Sequence, residues 1–289
     1  SPLDMTTPRL PPELERCIFE EAALTHRASI SSLLRVAHRV HVWIEPVLYN
    51  ILTVDYARVK RSPADLRDAS FLASNVHHLN LSGPIPPAQL QSLLGTCTGI
   101  TSLAMWLSFP LTPSPDLLPL LELLPSLRRL AVDITHLFGG PLRVQLAHPA
   151  FRSLTHLDIL AAPFDEWRLY AAAGLPRMPA LTHLAFRERF HPRVLRGALA
   201  YCPALRALGV VWGHGARGRR RAADVREGEV VDVRLFVLVC EDWVEDWARG
   251  AGMDVWARGE AFIARKRAGE IPGGFSLLFS SDCGLTRSF

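Results

Sequence analysis

A short phrase of apolar and polar positions recurs along the chain. At Leu127-Arg128-Arg129-Leu130-Ala131-Val132 it reads apolar-x-x-Leu-x-apolar. The same order returns at Leu154-Thr155-His156-Leu157-Asp158-Ile159 and at Leu181-Thr182-His183-Leu184-Ala185-Phe186, so Leu130, Leu157 and Leu184 stand 27 residues apart. Extending the frame finds Val76/Leu79/Leu81, Ile100/Leu103/Met105 and Leu205/Leu208/Val210 at steps of 24 or 27. Outer copies fall at Tyr49/Leu52/Val54 and Asp232/Leu235/Val237. Alternation within each phrase predicts a short strand with two distinct faces. Helices are predicted between phrases, at Pro87 to Leu94, Pro115 to Leu124, Asp165 to Ala173 and Pro192 to Ala200. The stretch from Asp133 to Leu154 carries Gly139, Gly140 and Pro141 and reads as mostly loop.

A strand with a helical or irregular return at this spacing is the leucine-rich-repeat signature, and about seven to eight short parallel strands are expected. One unit cannot bury its own apolar face, so neighbours must stack. The predicted fold class is α/β, a leucine-rich-repeat solenoid over residues 49–240. Residues 1–9 read as a loose N-terminus. Residues 10–48 read as a small helical unit. It has one helix over 12–24 and a second with Leu33, Leu34, Ala37 and Val40 as its stripe. A third short piece runs from Val42 to Leu48, entered or bent at Pro46. Residues 241–289 read as a helical cap and tail. There, Trp243 and Trp247 share one helix face over Glu241 to Arg249. Val255, Trp256, Phe262 and Ile263 share another over Asp254 to Ala268. Solenoids need caps over their apolar ends, and these helices are assigned that role.

The alternation also sorts the strand residues by face. If Leu157 and Ile159 point into the core, His156 and Asp158 point away from it. The same frame assigns His78, Asn80, Trp106, Arg129, Asp133, His156, Asp158, His183 and Arg187 to an open face suited to a protein target. Adjacent strands lie about 4.8 Å apart, so Arg129, His156 and His183 should form a ladder. Farther along the face turns apolar, through Ala207, Gly209, Val211, Phe236 and Leu238. The tail segment Phe275-Ser276-Leu277-Leu278-Phe279 is an alternative cover for that apolar end.

Composition changes this picture only slightly. Five widely spaced cysteines without a CxxC pair fit a reducing compartment, and Cys97 and Cys202 fill a small apolar slot of the repeat. The net charge of +4 is modest, and part of it is concentrated in Arg217-Gly218-Arg219-Arg220-Arg221. This run reads as a solvated loop, with a basic docking loop or nuclear-import patch as the alternative, and a nucleic-acid surface would need basic residues spread along one face, so nucleic acid is not expected as the main partner. No apolar run is long enough to span a membrane, and no signal peptide is evident. The expectation is a soluble chain of the cytoplasm or nucleus. HExxH, GxSxG, P-loop and GxGxxG motifs are all missing, so no catalytic residue, metal or cofactor is expected. The acids Asp242, Glu245 and Asp246 are read as a solvated helix face.

The N-terminal unit resembles an F-box. The matching residues are Leu10-Pro11-Pro12-Glu13-Leu14, Ile18-Phe19, Ser32-Leu33-Leu34-Arg35-Val36 and Trp43, closing on Glu45-Pro46-Val47-Leu48-Tyr49. The whole is similar to F-box/leucine-rich-repeat proteins common in mushroom-forming fungi, whose endings Asp242-Trp243-Val244-Glu245-Asp246-Trp247 and Trp256 also resemble. The resemblance implies a substrate receptor of a Skp–cullin–F-box ubiquitin ligase. It implies that Leu10, Pro11, Leu14 and Ile18 grip a Skp-type adaptor while the solenoid presents a protein target. The alternative is a plain leucine-rich-repeat binding module whose F-box-like unit serves only as a structural cap.

Overall fold

The computed structural model describes residues 10–56, 67–107, 117–161, 163–187, 191–213, 230–240, 246–247 and 254–271, with a last strand at 277–279. Eight strands carry the eight phrases: β1 Ile51–Asp55, β2 His78–Gly83, β3 Ser102–Leu107, β4 Arg129–Val132, β5 His156–Ile159, β6 His183–Arg187, β7 Ala207–Gly213 and β8 Leu235–Cys240. With β9 (Leu277–Phe279) they form one nine-stranded sheet in sequential order, and every pairing is parallel. The register reproduces the repeat frame. Leu52, Leu79, Leu103, Leu130, Leu157, Leu184, Leu208 and Leu235 pair in one row. Val54, Leu81, Met105, Val132, Ile159, Phe186, Val210 and Val237 pair in the next row on the same face. These rows share one continuous core with residues of the returns, so the fold is a solenoid-like α/β stack.

Why the period holds is visible where each strand begins. The backbone N–H groups of Thr101 and Ser102 both donate to His77 O, and those of Arg128 and Arg129 both donate to Thr101 O. Thr155 and His156 repeat this on Arg128 O, and Thr182 and His183 on Thr155 O. Thr101, Thr155 and Thr182 add their hydroxyls to the same carbonyls. Each repeat is therefore hung on its predecessor through one residue, which fixes the register that the leucines fill.

The returns differ in regularity. The helices are α1 Pro12–Thr25, α2 Ile30–Leu33, α3 His38–Tyr49, α4 Ala69–Asn75, α5 Pro87–Thr96, α6 Leu118–Leu121, α7 Ile134–Leu137, α8 Trp167–Ala172, α9 Pro192–Tyr201 and α10 Val255–Arg267. Prolines Pro87 and Pro192 open α5 and α9, where a missing N–H costs nothing. Between Asp133 and Leu154 only one short helix and two 3-10 turns form, in keeping with a mostly irregular return. Two boundaries in the N-terminal unit depart from expectation. The second helix is a single turn, and Val40 belongs to α3, which begins at His38 and carries Pro46 inside it. Ala23, Ile30, Val40 and Ile44 make a small separate core for that unit. The unit is tied to the solenoid where Tyr49 meets Phe71 edge-on and where Arg67 pairs with Glu45.

Cys97, Cys202 and Cys240 are buried, and burial pushes the first two thiols up to about 11, so they pack as small hydrophobes. No helix among the described residues is long and apolar enough to cross a membrane. The basic run Arg217 to Arg221 and the helix face shared by Trp243 and Trp247 lie outside the described residues, apart from Trp247 itself.

Candidate functional site

The side of the sheet opposite the leucines carries the residues singled out for target binding. Their ladder is real: His78, Ser102, Arg129, His156, His183 and Ala207 pair across six strands. What the ladder faces differs from the expectation of an open surface. Helix α10 lies across β6 to β8, and its residues Val255, Trp256, Phe262 and Ile263 pack on Ala185, Ala207, Val211, Phe236, Leu238 and Cys240. The helix therefore covers a face of the sheet and does not cap an end of the stack. Of the tail segment, Leu277–Phe279 is described, and it extends the sheet edge beside β8.

Small residues allow this close approach. Phe236 lies between Gly209 on β7 and Gly259 on α10. A Cβ on Gly209 would come within 2.7 Å of its ring, and one on Gly259 within 2.5 Å. Gly259→Val is therefore expected to cost about 1–3 kcal/mol through overpacking. Urea unfolding would measure it, and an unchanged midpoint would refute the tight seam.

Charged groups fix the helix in register on the face. Asp254 caps α10, accepting from the N–H groups of Trp256 and Ala257, and its carboxylate also takes the Arg129 guanidinium. Asp246 pairs with Arg258 and accepts from Val255 N–H at 2.9 Å. Glu260 meets His183 Nε2 at 2.9 Å. Lys266 reaches the base of β8 and donates to Asp232 O and Leu235 O at 3.2 and 3.0 Å. The sequence reading of Asp246 as part of a solvated helix face is thus corrected: it is buried, and burial holds its carboxyl above the usual carboxylate range.

Deeper in the face, Arg187 places Nε and Nη2 at 2.8 and 2.6 Å from Asp158 Oδ2, with both residues essentially inaccessible. The same guanidinium stacks 4.8 Å from the centre of the Trp106 ring, whose Nε1 donates to Asn80 Oδ1 at 2.8 Å. Trp247 lies against Ala104 and Ala131 on the same face and receives the Arg129 guanidinium on its ring at 5.2 Å. His156 and His183 stack face to face, their centres 4.0 Å apart and their planes nearly parallel, with Trp256 edge-on to both. Each imidazole Nδ1 lies 2.8 Å from the hydroxyl of the threonine before it. Burial, the charge of the facing His183 and Arg129 lower His156 to about 3; burial and Arg129 lower His78 to about 4.

The nine face residues thus divide. Asn80, Asp158, His183 and Arg187 are buried, which corrects the expectation that they lie open. His78, Trp106, Arg129 and His156 are partly exposed. Asp133 stands apart from the face, capping α7 by accepting from the N–H of Thr135 at 2.8 Å. The residues that matter most here and were not foreseen are Asp246, Asp254, Arg258, Glu260 and Lys266. Their partners lie up to 125 residues away, as Arg129 does from Asp254, so no local spacing betrays them. No group of three His, Cys, Asp or Glu fit to hold a metal ion occurs among the described residues.

The N-terminal unit presents the opposite surface character. Leu10, Leu14 and Ile18 are 45%, 54% and 55% exposed, with Pro11 also exposed beside them. Leu24, Val36, Val42 and Leu48 extend the exposed apolar set within the same unit. The chain matches no protein-family model, and no curated protein matches it.

Proposed function

We propose that the chain is a substrate receptor of the F-box/leucine-rich-repeat type, coupling a protein target to a Skp–cullin–F-box ubiquitin ligase in the cytoplasm or nucleus. The observation that carries this reading is the exposure of Leu10, Leu14 and Ile18 on and beside α1. A helical unit serving only as a cap would turn its apolar residues onto the repeats. Here the unit keeps its own core of Ala23, Ile30, Val40 and Ile44, and leaves large hydrophobes in water. Exposed apolar clusters of this kind mark contact surfaces. On this reading the target meets the part of the sheet face nearer β2 and β3, where His78 and Trp106 remain partly exposed. Helix α10, with one side packed on the sheet face, is then part of the scaffold.

Capture by a purified Skp-type adaptor tests the proposal. The wild-type chain is expected to be retained, and Leu14→Asp to lose retention by at least about tenfold, the size of losing one buried apolar anchor. Its unfolding midpoint should stay unchanged, because Leu14 is exposed. If the wild type is not retained, the alternative of a plain binding module takes its place.

A further inference from the structure

The chain has 30 arginines and only two lysines, Lys60 and Lys266. Lys60 lies outside the described residues. Lys266 is 5% exposed, its ammonium held by two carbonyl oxygens at the base of β8 and set beside the Phe262 ring. Positive charge at the described surface is instead carried by guanidinium groups, including the exposed Arg143, Arg152, Arg177, Arg193, Arg196 and Arg206.

We infer that this chain is built to escape the ubiquitin transfer it would direct, an inference that rests on the ligase reading above. In that transfer, the ε-amine of a lysine attacks the thioester joining the ubiquitin C-terminus to a conjugating enzyme. An isopeptide bond forms, the thioester breaks, and the enzyme's cysteine leaves as a thiol. The attacking nitrogen must be neutral and free to approach the thioester. A guanidinium stays protonated and delocalised at any physiological pH and does not serve. A receptor holds its target close to the charged enzyme, so its own accessible amines share the high effective concentration offered to the target. Arginine keeps the surface charged and soluble without supplying an acceptor. Lys266 is removed from the competition by burial: its nitrogen would have to leave two carbonyls and the underside of α10 before it could attack.

The test is ubiquitin conjugation by the assembled ligase, with adaptor capture measured on the same preparations and conjugates mapped by peptide mass. Wild type is compared with the triple variant Arg143→Lys, Arg152→Lys, Arg196→Lys. All three arginines are exposed, and all three changes keep the charge. The expected result is that wild type carries no ubiquitin on Lys266, and that the variant gains several-fold more conjugate, all of it at the substituted positions. Conjugation of wild type at Lys266 or at Lys60 would overturn the inference while leaving the receptor assignment intact. So would a captured variant no more modified than wild type. Loss of adaptor capture by wild type would overturn both.

Discussion

Asp158→Ala is expected to lower folding stability by about 3–5 kcal/mol, because it strands the buried Arg187 guanidinium without its carboxylate. Asp158 and Arg187 are 0% and 1% exposed, so water cannot replace the lost partner. Arg187 keeps the ring of Trp106 at 4.8 Å, a cation–π contact worth roughly 2 kcal/mol when desolvated, and the more distant charge of Asp246, but no longer the carboxylate oxygen that accepts both of its N–H groups. The desolvation cost of the charge is larger than that, and the residue must either drag in water or force the face open. The double variant Asp158→Leu with Arg187→Met should recover most of the loss, since a buried pair contributes little net stability over an apolar pair of similar volume. Urea unfolding of the wild type and the two variants would measure this. A single-variant loss within about 1 kcal/mol, the range of an exposed pair, would mean that the pair is solvated and that the face is open after all.

The same pair shows what could be read from sequence and what could not. The alternation placed Asp158 and Arg187 on the face away from the leucines, and the sheet register agrees: Asp158 lies opposite Ala185, and Arg187 opposite Val211. Periodicity carries that information because each strand repeats the same local geometry. Burial of the face is another matter. The stripe of Val255, Trp256, Phe262 and Ile263 announced that one side of α10 is covered, and all four are buried. A stripe does not name its partner. An end of the stack and a face of the sheet both offer apolar surface, and the choice is made by Gly209, Ala185 and Ala207, which form a floor low enough for a helix. Ion pairs such as Arg129 with Asp254 join residues too far apart for any local pattern. A charge on a helix reads as solvated unless its remote partner is known. The N-terminal unit was legible in part: the proline-led start of α1 and the spacing of Leu14 and Ile18 are local and set the helix, whereas spacing alone does not say whether that stripe is buried or, as here, exposed.

Acidification is the second large effect expected. A histidine whose folded value is depressed binds its proton more readily unfolded, so stability falls as the pH drops below 6.5 and levels off below the folded value. His78 and His156 are lowered to about 4 and about 3, which sets the window between pH 6.5 and 4. From pH 7 to pH 4.5 each should remove on the order of 2 kcal/mol. His183 is lowered as well by burial, against the opposing pull of Glu260, and adds in the same direction. Carboxylates held low by guanidinium partners, such as Asp232, lose their contribution only at still lower pH, so the window reports on the imidazoles. Asp246, raised by burial, works in the opposite sense and blunts the fall. Denaturant unfolding at the two pH values would measure the loss in wild type. In His156→Gln the loss should shrink by about 2 kcal/mol, because glutamine cannot take up the proton that the stacked ring refuses. An equal loss in both proteins would show that the stack of His156 on His183, beneath Trp256, is open enough to hold its charge in water.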